Sequence, residues 1–162
     1  MIKIPLTQGK FARVDACDYD YLMQWKWCFS KGRGVGYAVR TDNANRKCVR
    51  MHRVILERMG HEDFELGSHI NGDGLDNCRY NLRPVTQKQA AYSRRMRKNN
   101  TSGYIGVYFR EDMGKGVWVA SAHQDGKQVH LGYWNDPVDA ARAYNEFVLE
   151  HRGEFAVLNE VD

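Results

Sequence analysis

At 162 residues, with 43% apolar and 27% charged residues and a net charge of +4, the chain can hold one domain or two to three small modules. No apolar run approaches the ~18–20 residues of a membrane span, and the N-terminus lacks the apolar core of a signal peptide. The four cysteines, Cys17, Cys28, Cys48 and Cys78, show neither a Cys-x-x-Cys pair nor zinc-finger spacing, so they are expected as small buried or half-buried thiols of a soluble cytoplasmic protein.

Residues 1–60 read as a β-rich module. Residues 10–14 alternate as a strand should, and Asp18 is placed to cap a short helical turn over residues 19–24. Trp25, Trp27 and Phe29 alternate with polar residues, as on the buried face of a strand. Core packing accounts for the two tryptophans better than a ligand cage does. Further strands are expected over residues 36–40 and 48–51, either side of a polar turn at 42–45. A helix over 52–59 should stop at Gly60.

Residues 61–98 centre on Gly67-Ser68-His69-Ile70-Asn71-Gly72-Asp73-Gly74-Leu75-Asp76-Asn77, with Asn81-Leu82-Arg83 following. Asn71-Gly72 and Asp73-Gly74 are turn dipeptides, and Thr86 with Gln89 forms a capping box for the next helix. A histidine at a strand end, facing a helix across an Asn-rich loop, resembles the ββα-metal finger of HNH endonucleases of the phage and intron homing type. Residues 1–60 resemble the module that precedes this finger in phage enzymes. The resemblance implies His69 as general base and Asn81 as the structural Asn of the motif. It also implies two metal ligands, an Asp just before the histidine and a His or Asn nine residues after Asn81. Those positions hold Ser68 and Ala90. A hard cation such as Mg²⁺ takes oxygen ligands, usually including a carboxylate; Ser offers one neutral hydroxyl and Ala nothing. Arg94, Arg95, Arg97 and Lys98 then crowd at the helix end beyond what its dipole favours, a pattern suited to phosphates.

The polar stretch 99–103 marks a boundary. Beyond it, strands are expected over residues 104–110, 117–123 and 127–134, with a hairpin turn at Asp125-Gly126. A helix follows, capped by Asp136, with Pro137 at its first position and Gly153 at its end. Parity places Val107, Phe109, Trp118, Ala120, Ala122, Val129 and Leu131 on the face toward the helix. Tyr108, Arg110, Ser121, His123, Gln128 and His130 fall on the other face. The stretches Tyr104-Ile105-Gly106-Val107, Trp118-Val119-Ala120, His130-Leu131-Gly132-Tyr133 and Ala140-Ala141-Arg142-Ala143-Tyr144-Asn145 resemble the ethylene-response-factor (Apetala-two type) DNA-binding domain. That resemblance implies a sheet lying in the major groove. Its contacts would fall on Ile105, Tyr108, Arg110, Ser121, His123, Gln128 and His130, with Lys127 beside them; of the aligned contacts only Arg110 keeps the plant residue type.

These readings describe an α+β chain in three parts. They are the β-rich module 1–60, the HNH-like finger 61–98 with its basic helix end, and the ethylene-response-factor-type domain 99–162, which is assigned most of the DNA affinity. The expected function is double-stranded DNA binding by a catalytically degenerate relative of an HNH homing endonuclease, without a cofactor. Its role would be regulatory, site-blocking or anti-defence, in the cytoplasm of a phage-infected bacterium and on the nucleoid when bound, with room for a phage or host protein partner. The alternative is an active nicking endonuclease with Mg²⁺ or another divalent cation on rearranged ligands such as Asp73 or Asp76. A module that only binds proteins is disfavoured by the basic cluster and the neutral polar sheet face.

Overall fold

The computed structural model describes residues 1–32, 34–92, 96, 100–111 and 116–161, and the fold is α+β. The chain divides into two compact units, Met1–Gln87 and Lys88–Asp162. Among the described residues no helix is long and apolar enough to cross a membrane.

In the first unit, β1 (Ile2–Pro5) and β2 (Phe11–Val14) form an antiparallel hairpin. Helix α1 (Ala16–Leu22) leads to a three-stranded antiparallel sheet of β3 (Cys28–Lys31), β4 (Gly36–Thr41) and β5 (Cys48–Arg50), ordered β3-β4-β5. Helix α2 (Met51–Arg58) follows, then the antiparallel pair β6 (Leu66–His69) and β7 (Leu82–Val85). One apolar core runs through these elements other than β6, including Ile4, Val14, Leu22, Trp27, Met51, Ile55 and Leu82. The finger hairpin is therefore packed into the same core as the β-rich segment.

Two local expectations are corrected here. The strand that was to start at Trp25 starts at Cys28. Trp27 is buried ahead of it, its indole N–H donating to the Leu22 carbonyl at 2.8 Å. Asp18 does not cap a helix: α1 begins at Ala16 after Asp15, and Asp18 is fully buried. Its carboxylate accepts from Arg58 Nε at 2.9 Å and from Arg79 Nε and Nη2 at 2.7 and 2.8 Å. A buried carboxylate needs such partners. Burial alone would raise its pKa, but the hydrogen bonds and charges of Arg79 and Arg58 hold it below the usual range. The thiols also differ from expectation. Cys17, Cys28 and Cys48 are exposed and Cys78 is buried; burial and the neighbouring Asp76 carboxylate push the Cys78 thiol up to about 12.

In the second unit, α3 (Gln87–Tyr92) begins at the unit boundary. Strands β8 (Val107–Arg110), β9 (Val117–Gln124) and β10 (Lys127–Trp134) form an antiparallel sheet ordered β10-β9-β8. Helix α4 (Pro137–Arg152) packs on it. Asp125 and Gly126 take φ of 51° and 77°, the signature of the type I′ hairpin that Asp-Gly favours. The Asp136 carboxylate accepts the Val138 N–H at 2.6 Å and caps α4. Ala120 and Ala122 meet Ala140, Ala141, Tyr144 and Val148 in the core. A bulge between His130 and Gly132 sets Gly132 against Ala120 and Tyr133 against Val119, while Leu131 packs in that core.

The first strand of this sheet starts at Val107, not 104. The preceding segment is tied down by side chains instead: Asn100 Nδ2 donates to the Tyr104 carbonyl at 2.7 Å, and Ser102 Oγ to the Val107 carbonyl at 2.8 Å. Asn159 brackets Ile105, accepting its N–H at 2.6 Å and donating to its carbonyl at 3.1 Å. Phe109 does not enter the core. It is 43% exposed and packs on Trp118 with ring centroids 5.0 Å apart.

Candidate functional site

His69 closes β6 opposite Leu82 of β7. Its Nε2 lies 3.3 Å from Asn77 Oδ1, while Asn77 Nδ2 donates to the Gly74 carbonyl at 3.4 Å. The amide oxygen of Asn77 thus faces the imidazole, so Nε2–H donates and Nδ1 keeps the lone pair. Burial lowers the His69 pKa, against the opposing pull of the Asn77 hydrogen bond and the Asp73 and Asp76 charges. The ring is neutral at neutral pH, the form a general base requires.

The loop after His69 is held by a dense hydrogen-bond network. Asn81 is buried. Its Oδ1 accepts the Asn71 N–H at 2.9 Å, and its Nδ2 donates to Asn71 Oδ1 at 3.0 Å and to the Asp76 carbonyl at 2.7 Å. Asn71 Nδ2 donates to Asp76 Oδ2 at 2.9 Å. The loop also docks on β2: Arg13 N–H donates to the Leu75 carbonyl and Asn77 N–H to the Arg13 carbonyl, both at 2.8 Å. At Gly74 a side chain would collide with the Gly36 carbonyl and the Tyr37 ring, which is why the tip of this loop is glycine.

The donor set does not fit a Mg²⁺ ion. Ser68 is half-buried in the β6–β7 ladder opposite Arg83, and Ala90 lies in α3. Asp73 Oδ1 accepts the Leu75 N–H at 3.0 Å, and its Oδ2 pairs with Arg13 at 2.9 Å. Asp76 is 2% exposed, with Oδ2 taken by Asn71, by the Tyr80 hydroxyl at 3.2 Å and by Arg13 at 3.2 Å. Asp73 has the bond of a turn residue to the backbone two residues on; Asp76 is held by side chains through Oδ2, and its buried Oδ1 is the one carboxylate oxygen of the loop without a hydrogen-bond partner, a single donor where a Mg²⁺ site needs several. Among the described residues no group of three or more His, Cys, Asp or Glu side chains gathers for a metal.

Two neighbours of His69 carried no mark in the sequence. The His52 ring stands edge-on at 4.9 Å and the Tyr37 ring at 6.0 Å. His52, at the start of α2, is 2% exposed. Burial pushes its pKa down to about 3, with smaller contributions from His69, Arg50 and Arg53. It is an imidazole that stays neutral at neutral pH, packed against the candidate base.

In the second unit, the sheet face away from α4 exposes Tyr108, His123, Gln128 and His130, with Arg110 half-buried. Lys127 is exposed too, but it pairs with Gln124 at the hairpin end and falls on the same side of the sheet as Ala122, toward α4. Tyr133, 48% exposed, joins them through its ring contact with His130 at 4.5 Å. Ser121 is buried, and its hydroxyl accepts from Gln128 Nε2 at 3.1 Å, so it braces Gln128. Ile105 packs against the α4 side, beside Tyr144 and Val148. Arg94, Arg95, Arg97 and Lys98 lie outside the described residues.

Between residues 26 and 53 the chain carries Lys26, Lys31, Arg33, Arg40, Arg46, Lys47, Arg50 and Arg53 against the single acid Asp42. Residues 99–162 carry five Lys/Arg against ten Asp/Glu.

No protein-family model matches the chain, and no solved structure matches it. A curated protein of Acanthamoeba polyphaga mimivirus, described as an uncharacterized HNH endonuclease, is 27% identical over 156 residues, covering 96% of this chain and 78% of that protein. The chain is thus related to HNH-type nucleases.

Proposed function

We propose that the chain is a double-stranded DNA-binding protein of HNH-nuclease descent whose finger keeps its fold and has lost phosphodiester cleavage. The observation that carries this reading is the contrast within one loop. His69, Asn77 and Asn81 stand in a dense bonding network, while Ser68 and Ala90 occupy the positions where the resemblance calls for metal ligands, Asp73 is already bonded and Asp76 is held through Oδ2. The mimiviral relative supports DNA as the partner. The open face of the second sheet supports it too, because its histidines, Gln128 and Arg110 suit base edges and phosphates. Binding without cutting serves a regulatory, site-blocking or anti-defence role.

With supercoiled plasmid and Mg²⁺ or Mn²⁺, the wild-type chain should shift the DNA in a gel and leave it unnicked. Robust nicking that disappears in His69→Ala would overturn this reading and establish an active endonuclease with rearranged ligands. On a preferred site, Arg110→Gln should cost on the order of 1–3 kcal/mol if Arg110 reads a guanine, and should weaken all sequences alike if it holds a phosphate. Changing Arg94, Arg95, Arg97 and Lys98 to Gln should lower the salt slope of binding by up to about 0.9 per lost phosphate contact; an unchanged slope would leave that cluster a helix-end feature.

A further inference from the structure

We propose that the open face of the β8–β9–β10 sheet binds single-stranded DNA, stacking unpaired bases on the rings of Tyr108 and Tyr133. This rests on the reading above that DNA is the partner, and adds a single-stranded form to it.

The strand register builds the platform. Tyr108 of β8 pairs with Val119 of β9, and Val119 pairs with Tyr133 of β10. Directly opposed residues share a face, so two tyrosines flank one valine on the side away from α4. Tyr133 reaches that side because of the bulge. Strict alternation from His130 would turn residue 133 toward the core instead. Val119 is fully buried between the tyrosines, which keep 39% and 48% of their own surface exposed. His130 pairs with Ser121 on the same face and adds a third ring, 4.5 Å from that of Tyr133.

Exposed rings select unpaired bases. In a duplex the two faces of each base are covered by its neighbours, and a protein meets only base edges. In a single strand the faces are free, and they stack on aromatic side chains whatever the sequence. Rings presented by neighbouring strands of a sheet are how small β domains hold single strands. Tyr108 and Tyr133 stand two strand spacings, ~10 Å, apart, about three steps of a strand at ~3.4 Å each. A stretch of about four nucleotides therefore meets both.

The charge of the face admits a strand without gripping a duplex. No carboxylate stands on this side of the three strands, and Arg110, two residues along β8 from Tyr108, is its one Lys or Arg among the described residues. One cation neutralises few phosphates, so stacking carries the affinity of this face. Beside Tyr108 lies a cavity of about 790 Å³, lined in part by Tyr108, His123 and Gln128 of the sheet with Lys88 and Tyr92 of α3. Its acid, Asp125, is paired with Lys88. Clefts of this size take small ligands, and a base passing Tyr108 meets the further ring of Tyr92 there.

The test compares binding of the full chain to labelled oligo(dT), to oligo(U) and to a blunt DNA duplex of the same length, by fluorescence anisotropy. Tyr108→Leu and Tyr133→Leu keep an apolar side chain beside Val119 and remove the ring. Each should weaken oligo(dT) binding by about 5- to 150-fold. Tyr108→Phe and Tyr133→Phe keep the ring and should bind as the wild type does. Duplex binding without oligo(dT) binding would overturn the platform and leave the duplex reading standing. Unchanged oligo(dT) affinity in the Leu variants, or Phe variants as weak as the Leu variants, would also overturn it. Tighter binding of oligo(U) than of oligo(dT) would overturn the choice of DNA. A wild-type chain with no affinity for either form of DNA would overturn the DNA-binding reading itself.

Discussion

Ser68→Asp combined with Ala90→Asn should turn the chain into a metal-dependent nicking enzyme. What the wild type already has supports this expectation: a neutral His69 whose Nε2–H is fixed on Asn77, and a loop locked by Asn71, Asp76 and Asn81. The double change adds one carboxylate and one amide oxygen at the ligand positions implied by the HNH resemblance, the kind of donors that hard cations take. Each single change should do little, since one ligand leaves the cation mostly hydrated and weakly held. Adding His69→Ala to the double variant should remove about 10²–10⁴-fold of the gained rate, the usual worth of a positioned base. Conversion of supercoiled to nicked plasmid measures all four proteins. A double variant that binds Mg²⁺ and DNA yet never nicks would show that the finger has lost more than its ligands.

The second large effect is on acid stability. His52 is buried with a pKa near 3, against ~6.5 in the unfolded chain. A histidine lowered in the folded state binds fewer protons there than when unfolded, so its contribution is complete above pH ~6.5 and is lost as pH falls toward 3. The loss is about 1.4 kcal/mol per pH unit within that window, on the order of 2–3 kcal/mol between pH 6.5 and 4.5. His69, also lowered by burial, adds in the same direction. Asp18 is lowered too; its contribution holds above ~3.9, the unfolded value, and disappears as pH falls through the folded value. Calorimetric melting should show the first unit's Tm falling steadily below pH 6.5 and more steeply below about 4. His52→Phe should remove most of the upper slope and leave the lower one. A wild-type Tm that stays flat from pH 7 to pH 5 would refute the assignment, as would a His52 ring resonance that titrates near 6.5.

Neighbour-to-neighbour chemistry was legible before any fold was known. Asp125-Gly126 could be read as a hairpin turn because it needs two positive φ angles. Asp136-Pro137 could be read as a helix start because one carboxylate and one missing N–H suit that position, and Gly60 as a helix stop. The alternation through β9 assigned Ala120 and Ala122 to the helix side. His69, Asn81, Ser68 and Ala90 could be singled out because the loop motif is short and dense, and the charge imbalance of residues 26–53 was countable from the sequence alone. What the tertiary structure decided depends on residues far apart in the chain. Asp18 looked like a cap because a local cap is the commonest use of an early Asp, yet Arg58 and Arg79, 40 and 61 residues away, make it a buried ion-pair centre. Arg13 docks the finger loop across more than 60 residues, which makes the N-terminal hairpin a brace for the site. His52 became a neutral partner of His69 only when α2 packed against β6. No local pattern encodes such pairings, because their free energy comes from burial and charge compensation that exist only once the chain has closed on itself.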